Sequence, residues 1–210
     1  LSATGDELDE ANDVNVVGGT IDVAAAASVQ DITAYDDIDS SYIIEDTAGN
    51  VLADTGTILD DGIAGVDVTT SASANVGVAL GKLEDELEAG YSSDINFTVD
   101  DDASSIASVL VAGDELDNAD DVNVVGSAIN VADAAAVQDI TAYDAVDSDY
   151  DISDNAASLL SSTGVDTVVD SGVDTVNVTD PSVDAATGAE LNELELSLAV
   201  SYTHLTLPTS

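Results

Sequence analysis

The sequence predicts an α/β fold in which parallel strands alternate with helices, arranged as a solenoid of short repeats. Three observations predict it: a long internal repeat, strand-like segments at an even spacing, and helix-like segments between them. Residues 5–36 align without gaps to residues 113–144, with 25 of 32 positions identical. The octapeptide VQDITAYD therefore occurs twice, at 29–36 and at 137–144. A fixed period indicates an array, because one step cannot bury its own apolar faces and stacked neighbours can.

The repeat also sets the expected domain organisation. Residues 1–108 form a first unit of four strand–helix steps, residues 109–200 form a second, incomplete unit, and residues 201–210 form a separate tail. Two other architectures remain open, a doubly wound α/β sheet and a string of acidic β-sandwiches. The Ala-rich segments, which favour helix, fit the β-sandwich alternative poorly.

Seven strand-like segments recur at intervals of 24 to 29 residues. They begin at Val14, Tyr42, Val66, Ile95, Val122, Tyr150 and Val176. In most of them the first and third residues are apolar and the second is Asn or Asp, an alternation typical of a strand with one buried face. Helical connections of this length predict parallel, right-handed crossovers.

The segments between the strands predict helices with recognisable ends. Four apolar residues of the octapeptide region recur at every third position and predict one buried helix face, with Gln30 exposed to solvent. They are Val29, Ile32, Tyr35 and Ile38. Capping residues are expected at Asp22, Ser71, Asn130 and Asp180, the last followed by proline, and at Asp46 and Asp154, which occupy the same position after their strands. Glycines that suit the return of the chain to the sheet are Gly56, Gly90 and Gly164.

One motif occurs once in each unit, as YIIEDTAGNVL at 42–52 and as YDISDNAASLL at 150–160. With the acidic, Val/Ala/Thr-rich composition around it, this motif resembles the repeats of giant bacterial cell-surface and adhesin-like proteins, including those of marine cyanobacteria. The resemblance covers most of residues 1–200. It implies secretion to the cell surface and a structural, S-layer-like or adhesive role, and it supplies no catalytic residues.

The charge of the chain excludes several classes of partner. Forty-four acidic residues stand against one lysine and no arginine, which gives a net charge of −43. Nucleic acids and anionic membrane surfaces are bound through Lys and Arg, so neither is an expected partner. No apolar run approaches the length of a membrane span. The absence of cysteine excludes disulfides and thiolate metal sites.

The last ten residues, SYTHLTLPTS, differ from the rest of the chain. The final acidic residue is Glu195, and the only histidine, His204, follows it. This segment resembles a translated sequencing-adapter peptide of the kind that ends some metagenomic reading frames, so we expect a non-native tail. We also expect an internal fragment of a longer protein, since the chain begins at Leu1 and contains no methionine.

Catalysis is not expected. Without cysteine, arginine or a native histidine, the common nucleophilic and acid–base constellations cannot be built. Lys82 lies four residues before Glu86, a spacing that favours a surface ion pair on a helix.

Calcium is the one cofactor that the sequence favours, because hard cations bind carboxylate oxygens. Two acidic clusters each precede a strand. The candidate ligands are Asp6, Asp9 and Asp13 in the first unit and Asp114, Asp117, Asp120 and Asp121 in the second. Residues 99–102 (VDDD) are a third candidate. The EF-hand spacing is absent, so a solvated acidic face with helix caps is the alternative explanation.

A polar strip is the last candidate surface. Parallel stacking would place the second residue of most strands in one outer row, beside a row of hydroxyl residues. The first row holds Asn15, Asp67, Asn96, Asn123, Asp151 and Asn177, and the second holds Thr69, Thr98, Ser153 and Thr179. Such a strip suits surface glycans or ice, but solvent-facing side chains bonded along the stack are the preferred explanation. The other expected partners are neighbouring repeats of the same longer chain and like subunits.

Overall fold

The computed structural model describes residue 8 and residues 11–91, 93–110, 115–198 and 204–206. Nine strands and nine α-helices lie within these residues. In chain order they are β1 (Val17–Ile21), α1 (Val23–Gln30), β2 (Ser41–Asp46), α2 (Ala48–Ala53), α3 (Thr55–Ile58), β3 (Ile63–Val68), α4 (Ala74–Gly90), β4 (Ile95–Asn96), β5 (Thr98–Asp102), α5 (Ala103–Val109), β6 (Asp121–Ile129), α6 (Val131–Gln138), β7 (Asp149–Asp154), α7 (Ala156–Leu159), α8 (Ser162–Val168), β8 (Val173–Val178), α9 (Ala185–Leu198) and β9 (His204–Thr206).

The strands form two sheets in which spatial order follows chain order. The first sheet has the order β1-β2-β3-β4 and the second has the order β5-β6-β7-β8-β9. The pairs from β1 to β4 and from β6 to β9 are parallel. The predicted α/β class is therefore confirmed, and antiparallel β-sandwich repeats are not what the described residues form. Neither order contains the reversal that a doubly wound sheet has.

The chain divides into two compact units. The first consists of residues 1–72, 76–98 and 118–120, and the second of residues 73–75, 99–117 and 121–210. In the first unit α1 packs on β2 and α3, and in the second α6 packs on β7 and α8. Each core is mainly aliphatic with one buried tyrosine on a central strand, and the first also contains Phe97. Tyr42, Ile44 and Val66 fill the first, and Tyr150, Ile152 and Val176 fill the second.

The two units also share their backbone irregularities. The register of β1 on β2 shifts between Val17 and Thr20, and that of β6 on β7 shifts between Val125 and Ala128. Each shift contains left-handed residues, Gly18 and Gly19 in β1 and Gly126 and Ser127 in β6. Glycine adopts this conformation without the steric cost that a Cβ adds, which explains its use in both bulges.

The predicted strands are present at six of the seven positions. The exception is the first, because Val14 forms only an isolated parallel bridge to Tyr35, and β1 begins at Val17. Every predicted strand segment is followed by a helix.

The prediction for the octapeptide was wrong in its second half. Helix α1 ends at Gln30, where the N–H of Asp31 donates to Ala27 O. Ile32 lies in the bend that follows, and Tyr35 forms the bridge to Val14. Ile38 is 80% exposed. A three-residue spacing drifts around a helix of 3.6 residues per turn, so these side chains cannot share one helical face.

The capping predictions were confirmed at Asp22 and Asn130 and were wrong elsewhere. Asp22 and Asn130 accept from Ala25 N–H and Asp133 N–H at the starts of α1 and α6. Helix α9 instead begins after Asp184, which accepts from the N–H groups of Ala186 and Thr187. Asp180 is therefore not its cap. Thr47 and Asn155, not Asp46 and Asp154, cap α2 and α7, and Ser71 lies three residues before the first residue of α4.

The glycine predictions were confirmed at one of three positions. Gly90 is the last residue of α4, as expected. Gly56 and Gly164 lie inside α3 and α8. A Cβ on Gly164 would overlap the backbone of Ser158 and Leu159, so this glycine permits close packing of two short helices.

Within the described ranges, none of the helices combines the length and apolarity that crossing a bilayer requires.

Candidate functional site

Three aspartates of the second unit form the candidate cation site. One carboxylate oxygen each from Asp121, Asp144 and Asp147 lies within 4.8 Å of the other two. Asp121 begins β6, and the other two lie in the turn that leads to β7. The turn is held in place because Asp144 Oδ1 accepts from Val146 N–H (2.7 Å) and from Asp147 N–H (3.4 Å).

The electrostatics of this cluster favour a cation. Burial raises the pKa of Asp121, and the negative charges of Asp144 and Asp147 raise it further. Hydrogen bonds from Asn123 and from the Val122 N–H act in the opposite direction. A bound cation would relieve the repulsion among the three carboxylates. Calcium takes about six to eight oxygen ligands, so backbone carbonyls or water would complete its shell.

The candidate calcium ligands predicted from the sequence lie in different places. Asp121 belongs to the cluster, whereas Asp117 Oδ1 accepts from Thr141 N–H (2.6 Å). Asp120 is exposed, and its N–H donates to Phe97 O (2.9 Å). Asp6, Asp9 and Asp114 lie outside the described residues.

The first unit contains the corresponding turn. Asp36 Oδ1 accepts from Ile38 N–H (3.1 Å) and Asp39 N–H (3.4 Å), as Asp144 does one repeat later. Asp13, the counterpart of Asp121, lines a shallow depression together with Asp36 and Asp37. The sequence identified Asp13 and Asp121, but it missed their partners, which lie more than twenty residues further along the chain.

The third acidic candidate, at residues 99–102, is engaged by helix caps. Asp101 Oδ2 accepts from Ala74 N–H (2.9 Å). Asp102 accepts from the side chains and N–H groups of Ser104 and Ser105. The Ser104 hydroxyl contributes most to holding the pKa of Asp102 well below its usual range. The carboxylates of Asp101 and Asp102 therefore stabilise the starts of helices.

Asp101 belongs to a recurring contact that sequence reasoning missed. An aspartate at or just after the end of a strand accepts from the first N–H of the helix in the preceding step. The pairs are Asp46 with Val23 (3.1 Å), Asp101 with Ala74 (2.9 Å), Asp154 with Val131 (3.1 Å) and Asp180 with Ala156 (2.6 Å). The first N–H groups of a helix have no partner within it, so the carboxylates stabilise each helix and tie consecutive steps together.

Residues of the octapeptide form a second set of hydrogen bonds that recurs in both units. Gln138 Nε2 donates to Tyr150 Oη (2.8 Å) and Thr167 O (3.0 Å), and Tyr143 Oη donates to Asp170 Oδ1 (2.6 Å). The same bonds occur in the first unit. There Gln30 donates to Tyr42 and Thr57, and Tyr35 donates to Asp60. The predicted exposure of Gln30 to solvent was therefore wrong.

The polar strip is continuous over only part of its predicted length. Asp67 lies opposite Asn96, and Asn96 Nδ2 donates to Asp67 Oδ1 (2.6 Å). In the second unit Asp151 lies opposite Thr175, and Asn177 lies opposite Ser153. Asp151 and Asn177 are thus two residues out of register, and the predicted row is interrupted there.

No protein-family model matches the chain, and no curated protein or solved structure matches it either.

Proposed function

We propose that this chain is a structural segment of a secreted, acidic, repetitive cell-surface protein of the S-layer or adhesin type. Its strand–helix steps would be successive courses of a parallel β/α solenoid. The observation that carries the proposal is the strand order, which follows the chain without reversal in both sheets. Within each sheet every strand adds beside the previous one, which is how a solenoid extends.

Two further observations support a spacer. The polar side chains that recur in both units are used in contacts between steps, as in Asp154 with Val131 and Tyr143 with Asp170. The net charge of −43 keeps such a surface solvated in salty media and keeps like segments apart.

Small-angle X-ray scattering of tandem chains with two, three and four copies of residues 1–108 tests the spacer. Strands lie about 4.8 Å apart, so each four-step unit is expected to add about 19 Å to the maximum dimension. Tandem chains with a ten-residue Gly/Ser linker after each unit are the control, and their dimension should grow more slowly than linearly. Equal, sublinear growth in both series would refute the spacer.

A calcium-dependent adhesin module, which binds glycans or partner cells, is the second candidate. The cluster of Asp121, Asp144 and Asp147 favours it, because three converging carboxylates are the donor type that calcium selects. The paucity of aromatic residues, 3% of the chain, argues against a sugar platform of stacked rings.

Thermal unfolding at fixed ionic strength tests the calcium module. Calcium at one hundred times its Kd would stabilise the fold by about 2.7 kcal/mol. Asp144→Asn is expected to abolish this stabilisation, and Asp174→Asn, on the exposed face of β8, is expected to preserve it. If EDTA leaves the melting temperature of the unmodified chain unchanged, the calcium module is wrong.

A further inference from the structure

Identical residues of the two repeats differ in burial at the start of each unit. Leu8 is 38% exposed, whereas its counterpart Leu116 is 1% exposed. Val17 is 76% exposed and Val125 is 38% exposed. The same holds for three further pairs, in which the first member is exposed or partly exposed and the second is buried. They are Ala11 and Ala119, Val14 and Val122, and Val16 and Val124.

For Val14 and Val122, the bonds to the following turn do not explain the difference. Val14 bridges to Tyr35 as Val122 bridges to Tyr143. The N–H of Val14 donates to Ala34 O and that of Val122 donates to Ala142 O, each with an N···O distance of 2.8 Å. What differs is therefore the neighbour on the outer side of the strand.

For Val122, Val124 and Val125, which lie on β6, that neighbour is the preceding strand–helix step. Strand β5 is hydrogen-bonded to β6, and α5 packs on β6 and α6. Val99, Ala103 and Ile106 of this step are fully buried. The Ser127 hydroxyl also donates to Asp102 Oδ1 (3.2 Å), a contact particular to this repeat because Gly19 occupies the corresponding position in the first.

The corresponding face of the first unit has an apolar surface, and β1 is the edge strand of its sheet, with no strand on its outer side among the described residues. We call it the β1 face: Leu8, Ala11, Val14, Val16 and Val17. The backbone groups of Val14 and Val16 bond towards residues 34–41. Backbone groups of a parallel strand alternate between its two sides, so those of Asn15 and Val17 point towards the open edge.

We propose that the β1 face binds a strand–helix segment of the β5–α5 type, supplied by a further repeat of the same kind. The bound segment has an alternating apolar strand that ends in paired aspartates, and a Ser/Ala-rich helix with isoleucine on its buried side. Residues 98–109 are the example within this chain. The inference rests on the proposed spacer function and deepens it by naming the joining surface and its partner.

The test is a full chain in which a second copy of residues 91–112 replaces residues 1–4. This copy then precedes Gly5 as residue 112 precedes Gly113 in the natural order. Hydrogen exchange is followed in residues 14–21 and, as an internal reference of nearly identical sequence, in residues 122–129. The extension is expected to slow exchange in residues 14–21 by about tenfold or more, towards the rate of the reference.

The control extension carries Val99→Asp and Ile106→Asp in the added copy alone, and it is expected to leave exchange unchanged. The proposal is overturned if the native extension does not slow exchange, or if the control slows it equally. Scattering from the tandem chains separates this failure from that of the spacer. Constant length increments with unchanged exchange would reject the docking surface alone, and slowed exchange without those increments would reject the spacer alone.

Discussion

Glu84 is the only acidic side chain that is buried among the residues that the structure describes, with 6% exposure. Its carboxylate, on α4, accepts a hydrogen bond from the N–H of Ile95 at the start of β4. Burial raises the pKa of Glu84 to about 7, and the negative charges of Asp94, Glu88 and Asp85 contribute, while the Ile95 N–H opposes the rise. The first unit therefore folds around a carboxyl group that prefers to be protonated.

A raised pKa makes the contribution of Glu84 depend on pH. The group stabilises the fold fully below its unfolded pKa of 4.5, and this stabilisation is lost as the pH rises through about 7. The loss amounts to about 1–3 kcal/mol, because one unit of pKa corresponds to about 1.4 kcal/mol and solvent screening reduces the full effect.

Glu84→Gln is therefore expected to unfold in urea at pH 8 with a free energy about 1–3 kcal/mol higher than that of the unmodified chain. At pH 4.5 the two proteins should be nearly equally stable. Glu193→Gln, an exposed change of the same charge on α9, is the control and should shift stability little at either pH. Parallel pH profiles for Glu84→Gln and the unmodified chain would contradict the expectation.

Tyr143 is half-buried and contributes to stability through the hydrogen bond of its hydroxyl. Its hydroxyl donates to Asp170 Oδ1, which also accepts from Gly172 N–H (2.9 Å). Burial and the bond to Asp170 raise the pKa of Tyr143. A Cβ on residue 172 would overlap the Tyr143 hydroxyl, which explains the glycine there and at the corresponding position, Gly62.

Tyr143→Phe is expected to lower the free energy of unfolding by about 1.5–3 kcal/mol, the range for a hydrogen bond to a charged acceptor. Tyr35→Phe removes the equivalent bond in the first unit and should have a similar effect. Tyr91→Phe is the control, because Tyr91 is equally half-buried but its hydroxyl bonds to no carboxylate among the described residues, and urea unfolding measures all three. A loss at Tyr91 as large as that at Tyr143 would show that the bond to Asp170 is not the cause.

At the scale of elements, the recurring aspartates explain how short helices are held on the sheet. Helices α1 and α6 have eight residues each, too few for stability in isolation. Each carries its own cap and also receives a carboxylate from the following strand. A hydrogen bond from the Asn50 side chain lowers the pKa of Asp46, with the N–H groups of Thr47 and Val23 contributing, so this carboxylate remains ionised.

Asp154→Ala is expected to cost about 1–2 kcal/mol, as the loss of a helix cap does. Hydrogen exchange should accelerate most in residues 131–134, at the start of α6. Asp174→Ala, which also removes one carboxylate from this unit, is the control and should leave these amides unchanged. Acceleration confined to β7, with α6 unaffected, would show that Asp154 acts only within its own step.

The strands and their order could be predicted because alternation of apolar and polar residues directly reflects a half-buried sheet. The end of α1 could not be predicted. Ile32 is buried and Tyr35 half-buried although both lie beyond the helix, so their spacing imitates the buried face of a helix. The partners of Asp121 could not be predicted either. Asp144 and Asp147 lie more than twenty residues after Asp121 in the sequence. The spacing of neighbouring residues does not indicate a contact between segments so far apart. Gln30 was predicted to be exposed because polar side chains usually face solvent. In the structure it donates to Tyr42 and Thr57.

At the scale of the whole molecule, charge opposes folding. A net charge of −43 on 210 residues means that compaction brings carboxylates together with a single lysine to compensate. Salt shortens the Debye length from about 30 Å at 0.01 M to about 3 Å at 1 M, so repulsion between separate steps is almost removed at the higher concentration. Hydrogen bonds such as that from Val131 N–H to Asp154 Oδ2 (3.1 Å) are direct contacts with no ions between donor and acceptor, so they are retained.

We therefore expect the free energy of unfolding in urea to rise by roughly 2–5 kcal/mol between 0.01 M and 1 M sodium chloride. Because screening saturates once the Debye length falls below the spacing of the charges, most of the rise should occur below about 0.3 M. Potassium chloride is the control and should give the same curve, since screening depends on ionic strength and not on the identity of the ion. A gain that continues linearly to high salt would instead indicate exclusion of salt from apolar surface. A flat profile would mean that the acidic surface does not oppose the folded state.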